Sequence, residues 1–164
     1  MKHATNKARN FLVHMAVACA AIGVCAAGDV ALAQDPAKTK LAPREVFQLP
    51  FPYSQGIAAQ GKRLIFVAGQ IAIDEKGALV GKDDPEAQAR QVFKNIKAVL
   101  ESAGASMDHV VKITMIVKNA ADFPKIGAVR REVFKEPYPA STTFVAALLN
   151  PDWLVEVEAF AVLD

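Results

Sequence analysis

Between Asp84 and Gly104 the chain spells out one complete amphipathic helix, and that helix limits the folds open to everything around it. Asp83-Asp84-Pro85-Glu86 supplies a capping carboxylate, a proline in the first turn and an acid near the positive end of the helix dipole. Val92, Phe93, Ile96, Val99 and Leu100 follow at helical spacing, and Gly104 ends the run. A helix with a single apolar stripe buries it against another element. Its neighbours read as strands, so it packs on a sheet.

Upstream, RLIFVAGQIAI is apolar and β-branched, with Gln60-Gly61 before it and Asp74-Glu-Lys-Gly77 after it, which predicts a strand between turns. Downstream, His109 to Lys118 alternates as a strand with His109, Val111, Ile113, Met115 and Val117 on one face. Val110, Lys112, Thr114 and Ile116 take the other face. Asp122-Phe123-Pro124 opens a second helix with Ile126, Val129 and Val133 as its inner stripe. Two strands close the chain, about Ser141 to Leu149 and Trp153 to Leu163, joined at Asn150-Pro-Asp. The order β, β, α, β, α, β, β predicts an α+β fold, an α/β sandwich with both helices on one sheet face. The other face carries too many apolar side chains to stay wet, which predicts oligomerisation through the sheet and clefts between subunits.

Residues 1–33 read as a signal peptide: Lys2, Lys7 and Arg9, then an Ala- and Val-rich apolar run, then Ala31 and Ala33 before Gln34. Gly23, Gly28 and Asp29 interrupt the run, against a retained span, which needs about 20 mostly apolar residues. The mature chain is then residues 34–164, with 34–43 a flexible, proline-bearing lead-in and 44–164 one domain. Cleavage removes three basic residues and one acid, so the formal net charge of +2 falls to zero. That leaves no electrostatic case for nucleic acid or an anionic membrane as partner. Cys19, Cys25, His3 and His14 leave as well, and His109 remains alone. A Cys/His metal centre and a cysteine nucleophile are excluded for the mature chain. His109, at a strand start, fits capping or packing and is assigned no catalytic role.

YSQG at Tyr53–Gly56, VAGQIAID at Val67–Asp74, AQARQVFKNIKAVLESAG at Ala87–Gly104, the strand VVKITMIVK, Asp122-Phe123, YPA at Tyr138–Ala140 and VEVEA at Val155–Ala159 occur in one order. Together they resemble the RidA/YjgF reactive-intermediate deaminase family, also called the endoribonuclease L-PSP family, over about residues 44 to 163. The resemblance implies a chorismate-mutase-like fold with one mixed sheet. It also implies a homotrimer whose sheets form a central barrel, three small-molecule pockets at subunit interfaces, and hydrolysis of reactive imines and enamines to 2-oxo acids and ammonia without a cofactor.

Carried over position by position, Glu158 matches the second glutamate of the closing E-x-E and would act on water. Tyr53 matches the entrance tyrosine, and Gly69 and Gln70 match the pair beside the pocket. One match fails. Where active members follow proline-alanine with the arginine that grips the substrate carboxylate, this chain has Ser141, with Thr143 on the same strand face. Lys112 is a candidate substitute cation for the same pocket, whereas Arg130 and Arg131 read as solvated or paired surface charges.

Two functions remain open at this stage. One is an exported, periplasmic or secreted enzyme that hydrolyses an imine, enamine or related metabolite with altered specificity. The other is a trimeric binding or sensing module without catalysis. A ribonuclease follows only from the family's second name, and zero net charge and a single histidine argue against it.

Overall fold

The computed structural model describes residues 37–44, 46, 50 and 52–164; the signal peptide expected at 1–33 lies outside the described residues. Six strands and two helices follow in order: β1 Ala37–Leu41, β2 Gly56–Gln60, β3 Arg63–Gln70, α1 Pro85–Ser102, β4 Val110–Val117, α2 Phe123–Val133, β5 Ala140–Val145 and β6 Val155–Leu163. Four strands form a mixed sheet in the order β3-β6-β4-β5. β3 and β4 run antiparallel to β6, and β5 runs parallel to β4 across the α2 crossover.

The first helix begins as its sequence predicts. The Asp84 side chain accepts hydrogen bonds from the Glu86 and Ala87 backbone N–H groups, a cap worth about 1 kcal/mol. Gly104 takes the left-handed conformation just beyond the helix, at φ +75°. Val92, Phe93, Ile96 and Leu100 are buried with Ile126 and Val129 of α2, under Val67, Ile113, Met115, Val117, Val155, Val157 and Ala159 of the sheet. Both helices therefore share one sheet face. Val99 lies at the edge of the α1 stripe and stays exposed.

The structure differs from the sequence reading at four places. Residues 37–41, expected to be part of a flexible lead-in, pair with β2 as an antiparallel ladder. Lys38 helps hold them there, its ammonium donating to the Asp108 and Val110 carbonyls. β3 stops at Gln70 because the Ile71 and Ile73 carbonyls turn to the Asn95 amide on α1, at 3.0 and 2.9 Å. β5 ends at Val145, and Leu149 is almost fully exposed.

The fourth difference changes which residues face inward. The β4–β6 register shifts between Val110 and Lys112, so Val111 is an extra residue in the ladder and Val110, not Val111, joins the inward face; His109, also buried, precedes the strand. His109 instead ends a one-turn 3-10 helix and accepts the Ser106 backbone N–H at Nδ1, 3.0 Å away, which is a capping role.

Gln88 ties the sheet to the first helix. Fully buried, it donates to the Gly81 and Asp152 carbonyls and accepts from the Leu154 N–H at 2.8 Å, fixing the chain as it enters β6. Across the two helices, the Arg90 guanidinium binds Glu132 at 2.6 Å and Glu86 at 2.8 Å.

Candidate functional site

A cavity of about 490 Å³ opens between α2 and the edge strand β5. Its sheet side is Ser141 and Thr143, which pair with Ile113 and Met115 and so point to the helix side of the sheet. Its helix side is Phe123, Pro124, Gly127, Arg130 and Arg131, and Pro52 and Tyr53 complete the wall. Tyr53 is placed by its neighbour: Ser54, 1% exposed, bridges to Ala140 and donates its hydroxyl to the Tyr138 carbonyl at 2.6 Å. The Tyr53 hydroxyl accepts from the Gln55 amide at 2.9 Å.

Arg130 is the group that changes the chemistry of this cavity. Expected as a surface charge, it is only 7% exposed. It occupies the inner face of α2 because residues 123, 126, 127, 130 and 134 recur at three- and four-residue spacing. Its Nη1 donates to Ser141 Oγ at 3.1 Å and its Nη2 to the Pro52 carbonyl at 3.4 Å. The Cζ atom lies 6.0 Å from the Phe123 ring centroid, within cation–π range. Buried Nε has no hydrogen-bond partner among the described residues. Burial, then the charge of Arg131, weakens its hold on the proton, opposed by Tyr138. A guanidinium is basic enough that it stays charged despite this shift.

The position where a strand arginine is expected is thus reached by a helix arginine that hydrogen-bonds to the serine standing there. The signal for it was present in the α2 spacing, but a charge beside Arg131 and Glu132 gave no hint of burial.

Glu158, Lys112 and Gly69 lie on the opposite side of the sheet, whereas Gln70, at the end of β3, pairs with the inward-facing Val157. Glu158 pairs with Thr114, facing away from the helices. Lys112 is also on that side, so it does not enter the Ser141 cavity of its own protomer; its ammonium donates to Thr142 Oγ1 at 2.5 Å and to the Ile113 carbonyl at 3.0 Å. Partial burial lowers the Lys112 pKa, and the Glu158 carboxylate opposes that shift. Gly69 abuts Glu156, since a Cβ there would fall 2.0 Å from Glu156 Oε1. The Gln70 amide donates to the Ala68 carbonyl at 3.1 Å. Among the described residues no cluster of three or more His, Cys, Asp or Glu is arranged to hold a metal ion.

The sequence profile of the endoribonuclease L-PSP family matches residues 44–163. The chain belongs to the RidA/YjgF family. It is 44% identical over 110 residues to a RutC family protein of Pyrococcus horikoshii, covering 67% of this chain and 86% of that one. It is 36% identical over 126 residues to the 2-iminobutanoate/2-iminopropanoate deaminase of Dermatophagoides farinae, covering 77% and 94%. Among solved structures, a conserved Rid-family protein of unknown function from Yersinia pestis superposes with a TM-score of 0.69 at 34% identity, over 77% of this chain and 98% of that one. The Ser141 cavity and Glu158 lie on opposite sides of one sheet.

Proposed function

We propose that the chain hydrolyses the C=N bond of a small 2-imino acid, or of the enamine in equilibrium with it, in pockets formed where copies of the chain meet. Water adds to the imine carbon, the C–N bond breaks, and nitrogen leaves as ammonia to give the 2-oxo acid. The observation that carries this reading is the buried Arg130 guanidinium held at Ser141. It restores a fork-shaped cation where the substrate carboxylate must be gripped, and Ser141 and Thr143 add hydroxyls on the same wall.

Glu158 is the water-handling group in this reading, supplied to each cavity by a neighbouring copy because its own protomer turns it away. The face that carries it also exposes Leu64, Phe66 and Phe144, with Phe66 packed edge-to-face on Phe160 at 5.3 Å. Phe66 alone is 66% exposed. Three such faces closing on one another as a homotrimeric barrel would bury these side chains and bring the two half-sites together. Phe66→Glu is expected to convert the trimer to monomer in light scattering and to abolish turnover with it; a trimer that persists would argue against this face as the interface.

The direct test generates 2-iminopropanoate in situ and follows its loss. The protein is expected to accelerate hydrolysis well above the buffer rate. If it binds 2-oxo acids without accelerating hydrolysis, the binding-module reading, which the loss of the strand arginine favours, replaces this one. The basic, then apolar, then small-residue pattern of residues 1–33 supports an exported site of action, periplasmic or secreted.

A further inference from the structure

The Ser141 cavity holds more positive charge than one carboxylate uses. Arg131 lines it beside Arg130. Its Nη1 lies 3.9 Å from where a Cβ of Gly127 would be, and the Phe123 ring edge lies 4.0 Å from the same point. Gly127 therefore leaves open space over which the side chains of Phe123 and Arg131 converge, with the Arg130 Cζ atom 6.0 Å from the centroid of that ring.

Among the described residues of one protomer no acidic side chain lines the cavity. The nearest acid in sequence, Glu132, is committed to Arg90 on α1. Neither Arg130 nor Arg131 forms an ion pair among the described residues. Within one protomer the two adjacent guanidinium groups repel each other, and burial, then the charge of Arg131, depresses the proton affinity of Arg130. The neighbouring face that would bring the Glu158 carboxylate carries the Lys112 ammonium beside it, so the excess of positive charge remains. An arrangement of this kind is relieved by a ligand that brings two negative charges. The apolar surfaces of Phe123 and Pro124 between them suit the short carbon chain joining those charges.

We propose that the cavity is specific for a doubly anionic ligand, a short dicarboxylic 2-imino acid and its 2-oxo product, with Arg130 and Ser141 on the carboxylate next to the reacting carbon and Arg131 on the distal one. This deepens the preceding reading of the cavity as a substrate pocket and rests on it.

Calorimetric titration of the intact protein with 2-oxoglutarate, 2-oxobutanoate and sulfate tests it without turnover. 2-Oxoglutarate is expected to bind about tenfold more tightly than 2-oxobutanoate. Arg131→Gln removes that preference by weakening 2-oxoglutarate much more than 2-oxobutanoate, and Arg130→Gln weakens both to a similar extent. Equal affinities, a preference that survives Arg131→Gln, no heat with either acid, or sulfate binding as tightly as 2-oxoglutarate would each overturn the proposal. Dicarboxylate preference without imine hydrolysis would remove the deaminase reading and leave this one. Hydrolysis of 2-iminopropanoate with no dicarboxylate preference would do the reverse.

Discussion

Arg130→Gln is expected to lower kcat/KM for 2-iminopropanoate by about 10²- to 10³-fold, the loss of two charge-assisted hydrogen bonds to a carboxylate at roughly 1.5 to 3 kcal/mol each, partly offset by the remaining amide. The protein itself should barely notice. The guanidinium contributes one hydrogen bond to Ser141 Oγ and a long one to the Pro52 carbonyl, while leaving a buried Nε unpartnered and a like charge alongside. Thermal unfolding of the variant should therefore stay within a few degrees of the parent, on the usual scale for a single substitution.

The double variant Arg130→Gln/Ser141→Arg moves the cation to the strand position where the family resemblance leads one to expect an arginine, and is expected to recover most of the lost activity. Ser141→Arg alone crowds two guanidinium groups within hydrogen-bonding reach of one point and should not raise activity. An Arg130→Gln protein with undiminished kcat/KM would show that the anchor lies elsewhere.

Glu158→Gln should lower kcat by about 10²- to 10³-fold with KM nearly unchanged, the pattern of a group that positions or deprotonates water and does not hold the ground-state substrate. The amide keeps the shape of the side chain, so assembly measured by light scattering should be intact. Glu158 pairs with Thr114 on the face that carries Lys112, and its carboxylate helps keep that ammonium protonated. A fall in trimer content in step with kcat would make Glu158 an assembly residue.

Much of the architecture was legible because periodicity is local. The Asp84 cap, the buried set Val92, Phe93, Ile96 and Leu100, and the alternation of Val155, Val157 and Ala159 against Glu156 and Glu158 are written in consecutive residues and reappear in the fold. Where the reading slipped, a long-range contact had overridden the pattern. The extra residue at Val111 exchanged the faces of the first residues of β4, and Asn95 on a helix took the carbonyls that would have extended β3. Lys38 reached across about seventy positions to hold a segment whose composition reads as linker.

The site divided along the same line. Ser141 and Thr143 share a face by strand alternation alone, and both line the cavity. That Ser141 and Thr143 lie on the helix side, opposite Glu158 and Lys112, follows from sheet order and register, which no stretch of sequence displays.

By itself, then, the sequence determined the order of elements, the inner stripes of both helices, the family, and the absence of arginine after Pro139-Ala140, since each is a matter of neighbouring residues and their spacing. Only the tertiary structure decided what fills that absence. A guanidinium on α2 is a solvated surface charge or a buried anchor according to which face of the helix packs on the sheet edge, and packing of Ile126 and Val129 into the common core turned Arg130 onto Ser141.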